Sequence, residues 1–143
     1  MIEKAMLGRV LHAAAVVGFG ASALLHLASF TPLGERIDDG WVVALLAGAF
    51  ALLCAMLIRL RRADTPARRW KHLGIYDWRA LAGRVPPPLR ALVAATAAYS
   101  VLNFGLSLLA EAGAVRMASG QLLLFYLIPL MYFRFVDPER PGI

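Results

Sequence analysis

Apolar residues in this chain gather in long uninterrupted blocks rather than alternating or tracing a thin stripe. The first block, Val10 to Phe30, holds 21 residues without a formal charge. At about 1.5 Å per helical residue it reaches about 31 Å, the depth of a bilayer's hydrocarbon core. The second, Val42 to Ile58, holds 17 residues without a strongly polar side chain. A third opens after Pro86-Pro87-Pro88 and runs to Ala110, and a fourth runs from Met117 past Phe133. Breakers separate them: Pro32, Gly34 and Gly40 after the first, Gly113 and Gly120 around the last junction. The pattern predicts four transmembrane helices at about 10–30, 42–58, 90–110 and 117–135, with a long connection over 59–89. The expected fold class is all-α: one membrane domain, a four-helix bundle with a short interfacial segment between helices 2 and 3. Pro129 lies inside the fourth span and predicts a kink there. The tail from Asp137 is expected to fray.

Lys4 and Arg9 ahead of the first block invite a signal-peptide reading, with Ala21-Ser22-Ala23 as the cleavage site. The block is long for such a peptide and stays apolar past that site, so it is read as a retained span.

Composition narrows the class. Hydrophobic residues make up 60% of the 143 positions and charged residues 17%, against about 45–50% and about 25% in soluble domains. That excludes a disordered chain, a nucleic-acid-binding tail and almost every soluble enzyme fold. The net charge of +6 would suggest nucleic acid in a soluble protein; in this apolar setting no nucleic-acid partner is expected. Instead the cations mark a side. The N-terminus, the middle connection and the C-terminus carry 13 Lys and Arg, and the two short loops carry two, Arg36 and Arg116. By the positive-inside rule both termini and the connection face the cytoplasm of a bacterial inner membrane. Within the connection, Trp70, Leu73, Tyr76, Trp78 and Leu81 interleave with Arg68, Arg69, Lys71 and Arg79. This reads as a short helix or turn lying on the membrane surface, facing anionic headgroups, a membrane-protein partner or a second copy of the chain. Asp77 interrupts that face.

Several chemistries are missing. The deep parts of the spans hold no Asp, Glu, Lys or Arg, which argues against a proton-coupled exporter of the small four-helix kind. One cysteine, Cys54, leaves no pair for thiol–disulfide exchange. His12 and His26 lie 14 residues apart, about 21 Å along a helix. With His72 as the one further histidine, two bis-histidine haems are excluded, leaving at most a haem or metal shared between subunits. Ser29 and His26 share a face, with Asp38 and Asp39 in the next loop, but such pieces occur in any membrane protein with acidic loops. No catalytic residue, metal set or cofactor is assigned.

Two polar stripes remain. Gly8, His12, Ala15, Phe19, Ser22, His26 and Ser29 recur at spacings of four and three, an a/d seam along span one. Thr96, Ser100, Asn103 and Ser107, with Tyr99 beside them, form a matching stripe on span three. The first expectation is that the two pack together as interhelical glue. The alternative is a polar cavity between helices 1 and 3, lined by His26, Ser22, Tyr99 and Asn103. On span two, Ala44, Gly48 and Ala51 offer a small-residue surface for close helix contact, and Arg59, Arg61 and Arg62 are placed to snorkel.

Tyr76-Asp77-Trp78 through Tyr99-Ser100-Val101-Leu102-Asn103-Phe104, and Met117-Ala118-Ser119-Gly120-Gln121 leading to Phe125-Tyr126, resemble small four-span proteobacterial inner-membrane proteins of unassigned function. The resemblance implies four helices and an inner-membrane location and carries no activity. The resulting expectation is a non-catalytic inner-membrane protein acting through protein or lipid contacts, as an accessory subunit, assembly factor or toxin-immunity protein. The alternative is a small-molecule binder, transporter subunit or membrane enzyme using the polar cavity.

Overall fold

The computed structural model describes residues 2–62, 68–69, 75–76 and 78–137. Four long helices dominate: α1 (Ile2–Ala28), α2 (Asp39–Arg62), then α4 (Pro87–Leu109) and α5 (Ala114–Met131). Between α2 and α4 lie a two-residue antiparallel ladder, β1 (Arg68–Arg69) with β2 (Ile75–Tyr76), and a short helix α3 (Trp78–Ala82). The described part of the connection is therefore an antiparallel ladder followed by one helical turn and a half, where a short helix or turn was expected. The segments Met6–Ala28, Asp39–Arg62, Pro87–Leu109 and Ala114–Val136 are each long and apolar enough to cross a bilayer. The chain is a multi-pass membrane protein, all-helical apart from that two-residue ladder.

The helices extend past the apolar blocks because their first and last turns lie at headgroup depth, where polar side chains are tolerated. Pro87 and Pro88 fill the first turn of α4, where the missing N–H is an orphan in any case. At its other end, Glu111 adopts φ 50 while the Ala112 amide donates to the Ser107 carbonyl at 2.8 Å. This is the left-handed C-terminal cap that glycine ordinarily supplies. Pro129 is buried within α5, and a π-turn over Tyr132–Val136 follows that helix.

α5 is the axis. Along it Ser119, Leu122, Tyr126 and Leu127 are almost wholly enclosed, as is Phe133 in the π-turn that follows, and α1, α2 and α4 all pack against α5. The Tyr126 ring passes Gly18 of α1, where a Cβ would fall 1.9 Å from a ring carbon, and its hydroxyl donates to the Leu45 carbonyl of α2 at 2.7 Å. The buried face of α2 is Val42, Ala49, Leu52, Met56 and Leu60. The small-residue face expected there is turned largely outward, and of it Gly48 borders Tyr126. Arg59 does not snorkel: it is buried and ion-paired with buried Asp137, which anchors the first residue of the tail. Gly8 makes room for that pair, since a Cβ there would sit 3.2 Å from the Arg59 guanidinium.

Candidate functional site

The seam read on α1 is its inward face: Gly8, Ala15, Ser22 and His26 are buried, and His12, Phe19 and Ser29 are half-buried. The stripe on α4 is also inward, and the buried residues of that helix are three polar ones, Ser100, Asn103 and Ser107. Its large apolar side chains, Val101, Leu102, Leu106 and Leu109, point away from the bundle. This inside-out distribution follows from the solvent. Lipid accepts leucine as readily as a protein core does, whereas hydroxyl and amide groups need partners within the protein.

The two stripes do not zip against each other. Each faces α5, which stands between them, and α1 and α4 reach one another through His26 and Tyr99. His26 Nδ1 lies 2.8 Å from the Ser119 hydroxyl of α5, and Nε2 lies 2.5 Å from the Tyr99 hydroxyl of α4. Ser119 also donates to the Arg116 carbonyl at 3.2 Å. One assignment satisfies every member: Tyr99 donates to Nε2, Nδ1–H donates to Ser119, and Ser119 donates to the carbonyl. It requires a neutral imidazole and gives a directed chain of three hydrogen bonds across three helices. Both ring nitrogens are engaged, so ligation of a metal or haem by His26 would require breaking one of these bonds.

Around this chain lies a stack of rings. Phe30 and Tyr99 each present an edge-on ring to the imidazole, at 5.0 and 5.4 Å. The Arg116 guanidinium caps the stack 4.6 Å above Phe30. Asn103 belongs to a neighbouring contact. Its amide donates to the Arg116 carbonyl at 3.1 Å and lies against Gly120, where a Cβ would come within 2.6 Å of it. The Ser100 hydroxyl sits between the Gly120 carbonyl at 2.7 Å and the Thr96 carbonyl at 2.8 Å. Ser22 is fully enclosed and its hydroxyl has no hydrogen-bond partner among the described residues. Of the four residues placed in the candidate cavity, His26 and Tyr99 are thus brought together, Asn103 is turned to α5, and Ser22 is sealed in the packing. Ser29 donates to the His26 backbone carbonyl at 2.6 Å rather than meeting the ring.

Open space lies elsewhere. A polar cleft of about 450 Å³ sits beyond the stack at the short-loop end, bordered by Phe30, Thr31, Glu35, Glu111 and Arg116. An apolar groove of about 410 Å³ lies at the opposite, basic end. Among the described residues no group of three or more His, Cys, Asp or Glu side chains is placed to hold a metal ion.

Ser119, Gly120 and Arg116 escaped the reading of the sequence. Their signal was present in Met117-Ala118-Ser119-Gly120-Gln121, where small and polar residues open an otherwise aromatic and aliphatic span. Of the surface candidates, Arg68 and Arg69 lie on β1, opposite Tyr76 and Ile75, Trp78 opens α3, and Arg79 is exposed. Trp70 and Lys71 lie outside the described residues. No protein-family model, curated protein or solved structure matches the chain.

Proposed function

We propose that this chain is a non-catalytic protein of a bacterial inner membrane that works through protein or lipid contacts, as an accessory subunit, assembly factor or toxin-immunity protein. The observation that carries this reading is the closure of the polar interior. The His26 chain runs from Tyr99 to a backbone carbonyl with its serine fully buried, and Asn103 and Ser100 bind carbonyls of the facing helix. Such groups hold helices together. The candidates for such contacts are the apolar helix faces and, on the pattern of the sequence, the basic connection with Arg68, Arg69, Trp70, Lys71, Trp78 and Arg79. The skewed Lys and Arg distribution supports cytoplasmic termini.

The test is native mass spectrometry of the chain gently extracted from its own membrane, beside a variant with Arg68, Arg69 and Lys71 replaced by Gln. A stoichiometric protein partner or anionic lipid, weakened in the variant by about 1 kcal/mol per removed charge at low salt, is the expected result. Unchanged binding removes the connection from the account.

A second reading, a small-molecule binder or transporter subunit, is supported by the cleft over Arg116. The guanidinium Nε there is buried without a partner among the described residues. It expects a lone chain carrying a stoichiometric small molecule, released by Arg116→Gln.

A further inference from the structure

At the basic end, α2 and α4 stand apart, and a groove opens between them toward the bilayer. Met56 and Leu60 form one wall, Val93 and Ala97 the other, and Ile128 and Met131 of α5 the floor. The lining is almost entirely apolar. Leu81 and Val85, both buried, close the end nearest the connection. On α4 the lining spans Arg90 to Ala97 and on α5 and its π-turn Ile128 to Val136, about 10–12 Å along the helix axes. One leaflet of a bilayer has a hydrocarbon depth of about 15 Å, so the groove covers most of one leaflet and stops short of the midplane.

Charge is confined to its closed end. Arg90 lines the groove there, exposed, and its guanidinium has no hydrogen bond or ion pair among the described residues. Arg84 reaches the same rim, its Nη1 donating to the carbonyl of Val136, another lining residue, at 3.4 Å. An apolar slot of leaflet depth with two guanidiniums at its headgroup end is complementary to an acyl chain carrying an anionic phosphate. A neutral apolar molecule would leave Arg90 without a counter-charge, and a partner helix would have to bring a carboxylate to that depth.

The geometry points to a phospholipid site: the groove between α2 and α4 seats an acyl chain of an anionic glycerophospholipid, whose phosphate is held by Arg90 and Arg84. This rests on the reading that the chain works through contacts in the bilayer, and it names one of those contacts.

The full chain is reconstituted into vesicles of equal parts phosphatidylglycerol and phosphatidylcholine, re-extracted in a non-ionic detergent and weighed by native mass spectrometry. One retained lipid per chain is expected, with phosphatidylglycerol favoured about fivefold for each guanidinium. Replacing Arg84 and Arg90 with Gln abolishes the preference. Ala97→Phe, which fills the slot, abolishes retention of both lipids at an unchanged melting temperature. Ala94→Phe, on the same wall, is the second plug if the first fails to fold. Equal retention of the two lipids by the unaltered chain overturns the site, as does retention that survives both plugs. So does a neutral apolar molecule whose binding ignores the arginine changes. A protein partner recovered with a chain that retains no lipid removes this site and leaves the contact reading standing. A small molecule in the cleft of a lipid-retaining chain does the reverse.

Discussion

At the short-loop end, α4 is stitched to α5 by Ser100, Asn103 and the His26 chain; at the basic end the same helix stands away from α2 around a groove. The change follows composition along one helix. From Ser100 to Ser107 the buried positions of α4 are polar, whereas Val93, Ala94 and Ala97, which line the groove nearer its start, are small or apolar. Inside lipid, apolar contact between helices gains little over contact with acyl chains, so helices close tightly where polar groups must find partners. Where they carry none, lipid itself is an acceptable neighbour. The basic end is secured differently, by the buried Arg59–Asp137 pair that ties the end of the fourth span to α2.

Five substitutions break or sharpen this comparison. Asp137→Ala has the largest expected effect. It removes the Asp137 carboxylate from the buried Arg59 guanidinium, destabilising by up to about 3–5 kcal/mol, readable as a fall in melting temperature in detergent. Full stability in that variant would show that the pair does not secure the basic end.

Gly120→Ala comes next. Its methyl would meet the Asn103 amide at 2.6 Å, which turns that amide off the Arg116 carbonyl or pushes α4 outward, at a cost of about 1–3 kcal/mol. The contrast is Ala97→Leu in the groove wall, which has room and is expected to change stability by no more than about 0.5 kcal/mol. Equal losses at the two positions would erase the distinction between a closed and an open end.

His26→Ala removes two hydrogen bonds joining three helices. At about 0.6–2 kcal/mol each in membranes, a loss of about 1–4 kcal/mol is expected, together with lower abundance. Loss of activity at normal abundance and melting temperature would instead favour the small-molecule reading.

Ser22→Ala has the smallest effect. Its hydroxyl is buried without a partner among the described residues, so removing it should be neutral or stabilising by about 1 kcal/mol. A clear loss of stability would place an unseen polar partner beside it.

Much of the arrangement is legible in the chain. The polar stripe on α1 and the buried positions of α4 stand out, because polar residues at helical spacing inside an apolar block must turn inward. What they turn toward is not legible. The stripes on α1 and α4 suggested direct mutual packing, but α5 lies between them, and its contribution is one serine, one glycine and backbone carbonyls. A carbonyl acceptor leaves no mark on side-chain pattern. Arg59 and Asp137 were misplaced for a related reason: each lies at the edge of an apolar block, where a lone charge reads as snorkelling or fraying, and 78 positions separate the partners.

The number of spans, their approximate ends and the inward faces of α1 and α4 were determined by the sequence alone, because bilayer thickness and the demand for polar partners act on each segment separately. Tertiary structure decided that α5 is the hub, that Tyr126 wedges past Gly18, and which side of α2 is buried: Val42, Ala49, Leu52, Met56 and Leu60 face inward while Trp41, Leu46 and Phe50 face outward. It also decided that the open space lies away from the two stripes, at both ends and on the outer face of α2 beside Phe125. These depend on which helix neighbours which, and side-chain fit across helices far apart in the chain sets that choice.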